Sequence, residues 1–217
     1  MNLFNLKLPW LLFLLIINVF VFEKILAGEI PRKVFEKRGN IYYVINHRVI
    51  QITTSGKDNH PILSPTNKTI AFVRQSDIAI PKGCGYISYA DEYANQIWIY
   101  DIATKKEKLL VKNNFSCDKL EKLIIDPNDL QFSPDSKTIY FATSAWVTSG
   151  ALHAININGT NLRYIAPANS YRVIYDGKYK NKLIILQHRY FPQGGSYDWY
   201  WLYTLQGKQI KALGPMD

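Results

Sequence analysis

Ser133, Asp135 and Lys137 stand together in the stretch LQFSPDSKTIYF, Leu130 to Phe141. A hydroxyl, a carboxylate and an amine so close in the chain are the parts of an activated serine nucleophile, which would serve acyl transfer. Neither Ser133 nor Ser64, its counterpart in ILSPTNKTIAF (Ile62–Phe72), lies in a GxSxG nucleophile elbow. The recurrence explains the cluster differently. Pro134 presets φ for a turn, and Asp135 and Ser136 bond their own backbone there, so two strands reverse at this point. A worn third copy runs from Val173 to Leu186, with Asp176-Gly177-Lys178 as its turn. Ser, Asp and Lys are read as turn chemistry.

Little else in the chain is arranged for catalysis. His47, His60, His153 and His188 are dispersed, and each reads as a structural or surface histidine. Asp91-Glu92 is a loop pair that reads as solvated, with acid or ion-ligand roles as the alternative. No EF-hand-like or phosphate-cradling phrase occurs, and no cofactor or metal is expected. Asn67-Lys68-Thr69, Asn114-Phe115-Ser116 and Asn158-Gly159-Thr160 match a glycosylation pattern that is frequent by chance. Cys84 and Cys117, outside any CxxC, predict one structural disulfide in an oxidising compartment.

The elements that carry these residues are short strands. After a possible strand at Val34-Phe35, Ile41–Ile45 and Val49–Thr53 read as a pair around Asn46-His47-Arg48. Three units follow, each of four strands: 60–112, 129–166 and 171–214, with 32–55 as a partial unit. Asn158-Gly159 and Gln206-Gly207 supply the positive φ for tight closing hairpins in the last two. Helix is confined to one turn near Asp118–Leu123. Four antiparallel strands per repeat are the make-up of a propeller blade. A β-sandwich also uses short strands and frequent turns. It does not predict the recurrence of SPxxKTIxF in phase with a later hairpin. The expected fold is all-β, a small or incomplete β-propeller of about four blades built from four-stranded antiparallel repeats.

The phrase SPDSKTIYF, together with the strand-turn-strand QIWIYDIATKKEKLL, resembles the TolB-type propeller repeat of bacterial periplasmic proteins. The resemblance covers Ile62–Val111 and Leu130–Ile165 well and the third unit weakly. It implies the fold rather than an activity, because related repeats serve scaffolds, peptidase-associated propellers and lipoproteins. The chain departs from TolB in having no room for its separate N-terminal α/β domain and too few repeats for its six blades. The N-terminal strand pair looks like the outer half of a blade whose inner half would come from the C-terminus. The alternatives are a small ring completed by Val34-Phe35 and a frayed strand, or an open array whose edges need a partner.

Spacing locates the candidate binding surface. Ser64 to Ser133 is 69 residues, whereas Ile139 to its taken equivalent, Ile184, is 45. The excess lies in the loops 75–95 and 113–128, which leave a propeller on one face, and each carries one cysteine. A Cys84–Cys117 bridge would contribute roughly 3 to 4 kcal/mol on the chain-entropy account. The same face offers Tyr86, Tyr89, Tyr93, Trp146, Tyr190, Phe191 and Tyr197, with Arg189 and Asp198 beside them. Tyr, Trp and Arg are the usual interface anchors, and loops on a rigid scaffold commonly carry binding. The alternative for any single ring is that it folds back on the blades. Trp98, Tyr100, Tyr140, Phe141, Trp199, Tyr200 and Trp201 are read as packing between blades.

Composition sets the compartment and the partner class. Of 217 residues, 47% are hydrophobic and 14% aromatic, enough for a β-rich core. Lys7 precedes an apolar run from Leu8 to Phe22, and Ile25-Leu26-Ala27 resembles a cleavage site. That run is short for a membrane span, which takes about 20 residues. Residues 1–27 are therefore expected to be a secretory signal, with a retained anchor as the alternative, and 28–217 the exported domain. Removing Lys7, Lys24 and Glu23 takes the net charge from +9 to about +8. The charge is dispersed, with no basic helix or arm, which argues against nucleic acid. A protein or an anionic cell-envelope component remains as partner, with plain solubility as the bland account of the charge. The expected function is a non-catalytic, periplasmic or secreted scaffold that binds through its disulfide-tied loop face. The alternative is a small propeller hydrolase or lyase with its site in those loops or the central channel. An edge-paired homo-oligomer is a further possibility of the open array.

Overall fold

A computed structural model describes residues 33–81, 93–116 and 118–215. They form four antiparallel sheets in chain order. The first has three strands, β1 (Lys33–Lys37), β2 (Asn40–Ile45) and β3 (Arg48–Gln51). The second holds β4 (Asp58–Leu63), β5 (Thr69–Ala79), β6 (Tyr93–Asp101) and β7 (Lys106–Val111). The third holds β8 (Asn128–Phe132), β9 (Thr138–Thr143), β10 (Gly150–Asn156) and β11 (Arg163–Ala168). The fourth holds β12 (Ser170–Ile174), β13 (Lys182–Tyr190), β14 (Ser196–Thr204) and β15 (Gln209–Pro215). One 3-10 turn, Leu120–Lys122, sits where helix was confined. The signal segment and both cysteines lie outside the described residues.

Each sheet packs on the next through alternate side chains of its strands. Ile41 and Tyr43 of the first sheet meet Ile70 and Phe72 of the second. Ala71 and Val73, from the other face of β5, meet Ile139 and Phe141 of β9. Tyr140 and Ala142, from the other face of β9, meet Leu183 and Ile185 of β13. The repeated run TIAFV, TIYFA, KLIIL is thus a two-sided spacer, one set of side chains facing back and the other forward. This phase corrects one sequence reading: the equivalent of Ile139 is Leu183, not Ile184. A shift of one residue exchanges the two faces of a strand.

A second correction concerns the N-terminal strands. β1 completes a sheet with β2 and β3 and lies against β4, an inner strand that itself neighbours β8. The inner edge of this sheet is therefore made by the adjacent chain, not by the C-terminus.

The turn phrase does the work its composition implied. Ser133 Oγ accepts from Thr138 N–H at 2.9 Å and donates to Asp135 Oδ1 at 2.5 Å. That donation, more than any other contact, holds the Asp135 carboxyl below the usual range. Ser64 Oγ likewise accepts from the N–H groups of Thr69 and Lys68. Both serines are buried. Ser136, at φ +61°, accepts from Thr66 N–H in the preceding sheet at 3.1 Å, so the turns also tie neighbours together. Ser133→Ala removes the acceptor of the half-buried Thr138 N–H and should cost about 1 to 2 kcal/mol. The check is chemical denaturation, and an unchanged midpoint would show that the turn does not depend on this hydroxyl.

Candidate functional site

Three equivalent hairpins, β5–β6, β9–β10 and β13–β14, project from one rim of consecutive sheets. Most of the described candidates lie there. Tyr93 opens β6 opposite Ala79 and is partly exposed. Trp146 tops β9–β10, its ring edge-on to Tyr164 at 6.2 Å. Tyr164 in turn meets His153, which stacks on Phe141 at 5.2 Å and contacts Thr143 Oγ1 through Nε2 at 3.1 Å. Trp146 is therefore an exposed ring on a buried aromatic stem. Tyr86 and Tyr89 lie outside the described residues.

The third hairpin gathers the rest. Its sequence SYDWYWLYT alternates, so Tyr197, Trp199, Trp201 and Tyr203 share one face of β14. Gln187 and Arg189 of β13 lie across from Trp199 and Tyr197 on that face. A tight tip, with Gly194 at φ +94° and Gly195 at φ +84°, folds Phe191 onto Tyr197. The rings continue in file: Phe191–Tyr197 at 4.5 Å, Tyr197–Trp199 at 5.0 Å and Trp199–Trp201 at 6.4 Å.

Arg189 is fixed over this file. Its guanidinium lies 3.6 Å from the Trp201 ring centre. It donates to Gln187 Oε1 from Nε at 3.0 Å, to Tyr203 OH at 3.1 Å and to Gln209 Oε1 at 2.6 Å. Gln187, itself buried, is anchored by donation to Pro167 O at 2.7 Å. These acceptors are neutral, and among the described residues no carboxylate pairs with Arg189. The cation is thus oriented by amides and a phenol, lies beside a half-exposed aromatic file, and keeps its charge available.

The structure therefore brings Arg189, Phe191 and Tyr197 together and separates Tyr190. Strand alternation sends Tyr190 to the opposite face, where it is 66% exposed and packs edge-on against His188 at 5.1 Å. His188 Nδ1 lies 3.0 Å from Asp198 Oδ1. Trp199 and Trp201, read from sequence as packing, belong to the file. Trp201 does both, since it also packs against the joint between the third and fourth sheets. Gln187 and Gln209 were missed, because an amide acquires its role only from the cation it holds.

The central cleft is differently lined. A cavity of about 490 Å³ lies between β1, β4 and β8, walled mainly by Pro, Val, Ile, Leu and Phe side chains. Its Gln131 donates to Tyr171 O and accepts from Val173 N–H, and Tyr175 OH donates to Phe132 O. Both polar groups are committed to joining sheets. Among the described residues no group of three His, Cys, Asp or Glu could hold a metal ion.

No protein-family profile matches the chain, and no curated protein does. Solved structures do. The tricorn protease matches 83% of this chain over 15% of its own, at 11% identity and a TM-score of 0.57. The β-propeller domain of the Trilobed protease from Pyrococcus furiosus, described as having an open velcro topology, matches 81% over 49%, at 14% identity and a TM-score of 0.51. The fold is a β-propeller. TolB from Acinetobacter baumannii also matches, 82% over 41%, at 13% identity and a TM-score of 0.47. The chain spans less than half the length of each of these proteins. The four sheets are accordingly four blades, the first with three strands.

Proposed function

We propose that this chain is an exported, non-catalytic propeller scaffold that captures a protein or anionic cell-envelope component on its hairpin rim. The observation that carries the reading is Arg189, a pre-oriented cation with no carboxylate partner among the described residues, laid on Trp201 beside the file of Phe191, Tyr197 and Trp199. Stacked rings recognise an extended apolar or ring-bearing segment, and a fixed guanidinium selects an acidic group next to it. Periplasmic or secreted placement follows from the signal-like N-terminus and the TolB-type repeat. A Cys84–Cys117 bridge would tie two further rim loops, and Tyr86, Tyr89, Tyr93 and Trp146 would extend the same surface.

The test is recovery of ligands from a cell-envelope extract on the immobilised protein. Trp199→Ala and Arg189→Gln should each weaken recovery about thirtyfold, as expected for an anchor worth roughly 2 kcal/mol. Tyr190→Ala, on the opposite face, should leave it intact. Protease treatment of the extract separates the partners: it removes a protein ligand and spares an envelope polymer. Equal recovery by wild type, Trp199→Ala and Arg189→Gln would overturn the reading.

A further inference from the structure

The second blade carries its own precedent for the Arg189 site. Phe72 of β5 and Ile185 of β13 are equivalent, and each pairs with a tryptophan, Trp98 and Trp201. Tyr100 and Tyr203 follow on the same strands, and across from them on the outer strands stand Glu107 and Gln209. A guanidinium lies on both indoles. Arg74 is 4.6 Å from the Trp98 ring centre and Arg189 is 3.6 Å from that of Trp201. In the second blade the chain itself neutralises the cation. Asp58 accepts from two of the Arg74 nitrogens, and Glu107 Oε2 lies 2.8 Å from a guanidinium nitrogen. In the fourth blade the outer-strand carboxylate is replaced by the amide of Gln209.

That exchange leaves a cradle of donors on the face turned to the third blade. Gln209 Oε1 accepts from Arg189 at 2.6 Å and from Tyr203 OH at 3.2 Å, so its amide oxygen is committed to the site. Gln209 Nε2 and Arg189 Nη1 have no hydrogen-bond partner among the described residues. Gln187 has nothing to spare, since its oxygen takes Arg189 and Tyr203 and its nitrogen goes to Pro167 O. The turn beside the cradle is basic, with Lys208 preceding Gln209 and Arg163 donating to Leu205 O. A half-buried cation held by neutral groups is thus one carboxylate short of the arrangement that the second blade completes.

Taking the hairpin rim as the binding surface, we propose that the ligand supplies this carboxylate, as an aspartate or glutamate side chain of an extended acidic peptide. Two observations favour a peptide over other bearers of a carboxylate. The groups that serve Arg74 in the second blade are side chains of strands, Asp58 of β4 and Glu107 of β7. The rings Trp201, Trp199 and Tyr197 also recur at every second residue of β14. That is the period with which an extended peptide turns its side chains to one side. A peptide whose carboxylate sits on Arg189 and Gln209 therefore lays its alternate side chains over Trp199 and Tyr197, where apolar or aromatic groups fit. The basic chain, at net charge +9, steers such a segment toward the rim. Gln209 decides specificity, because glutamate at this position would close the cradle from within, as Glu107 does for Arg74.

Fluorescence anisotropy of a labelled random copolymer of glutamate and tyrosine, titrated with the full chain, tests this. The expected result is saturable binding that weakens with added salt. Gln209→Glu should lower the affinity about tenfold or more, because its own ion pair with Arg189 displaces the one the ligand offers. Its melting temperature should hold or rise, which separates loss of the site from loss of the fold. Gln209→Leu adds no competing charge and should retain more binding than Gln209→Glu. Polygalacturonate and polyphosphate are the rival probes. Either one binding as tightly as the copolymer, with the same sensitivity to Gln209→Glu, would overturn the peptide in favour of a uronate glycan or a phosphate polymer. A copolymer of lysine and tyrosine that binds equally well would overturn the role of the carboxylate. If Trp199→Ala and Arg189→Gln lose envelope ligands while Gln209→Glu binds the copolymer as wild type does, the rim reading stands and this proposal falls.

Discussion

Asp58→Ala is expected to destabilise the chain by about 3 to 5 kcal/mol, the cost of removing one member of a buried ion pair. Asp58 is 1% exposed and accepts from Arg74 Nε at 2.5 Å and Nη2 at 2.9 Å. Arg74 also reaches Glu107 Oε2 at 2.8 Å, and its guanidinium lies 4.6 Å from the Trp98 ring and 5.2 Å from that of Phe72. Burial opposes its charge, and Asp58 and Glu107 more than restore it, so its pKa is raised. The pair ties β4 to β5 beside the bulge between Asn59 and Ile62, and Asp58 N–H donates to Gly39 O of the first blade. Removing the carboxylate strands a guanidinium that aromatic faces and one half-buried glutamate cannot satisfy. At about 2 to 4 °C per kcal/mol for a chain of this size, the melting temperature should fall by roughly 10 °C. The double variant Asp58→Ala/Arg74→Met removes both charges and should recover much of the loss. A drop below about 1 kcal/mol in Asp58→Ala would show that Glu107 alone suffices for Arg74.

That network was not legible in the sequence, and the reason is general. Strand positions follow from period-two runs and turn residues within a few positions of each other, so TIAFV, TIYFA, SPDSK and Asn158-Gly159 could be placed by inspection. Asp58 and Arg74 lie in a loop-like stretch and a strand, and nothing local couples them. The rim candidates divide in the same way. Arg189, Phe191 and Tyr197 were named together because Tyr, Phe and Arg are conspicuous near a Gly-rich turn, and the fold sets them side by side. Tyr190 was named with them, and the alternation readable in HRYFPQGGSYDW sets it on the other face of the strand. The apolar runs LIIL and IYYVI were also present in the sequence. A composition suited to two-sided burial does not by itself state what lies on the second side.

Acid should weaken the fold through His153, by about 3 kcal/mol between pH 6.5 and pH 4. The ring is buried against Phe141 and Tyr164, and burial pulls its pKa from the ordinary 6.5 down to about 4. The folded chain thus holds this imidazole neutral over an interval in which the unfolded chain protonates it. Stability rises with pH wherever the unfolded state binds more protons, so this contribution is full above pH 6.5 and is lost as pH falls toward 4. The slope is at most about 1.4 kcal/mol per pH unit. His153→Gln keeps a nitrogen near Thr143 Oγ1 and removes the titration. Carboxylates that titrate near pH 4 affect both proteins equally, so the difference between their urea midpoints isolates the histidine. That difference should be constant above pH 7 and shift steadily toward the variant below pH 6.5. Parallel profiles down to pH 4 would mean that His153 is protonated in place. Because Tyr164 links this ring to Trp146, the same experiment followed by tryptophan fluorescence should show the exposed indole responding before global unfolding.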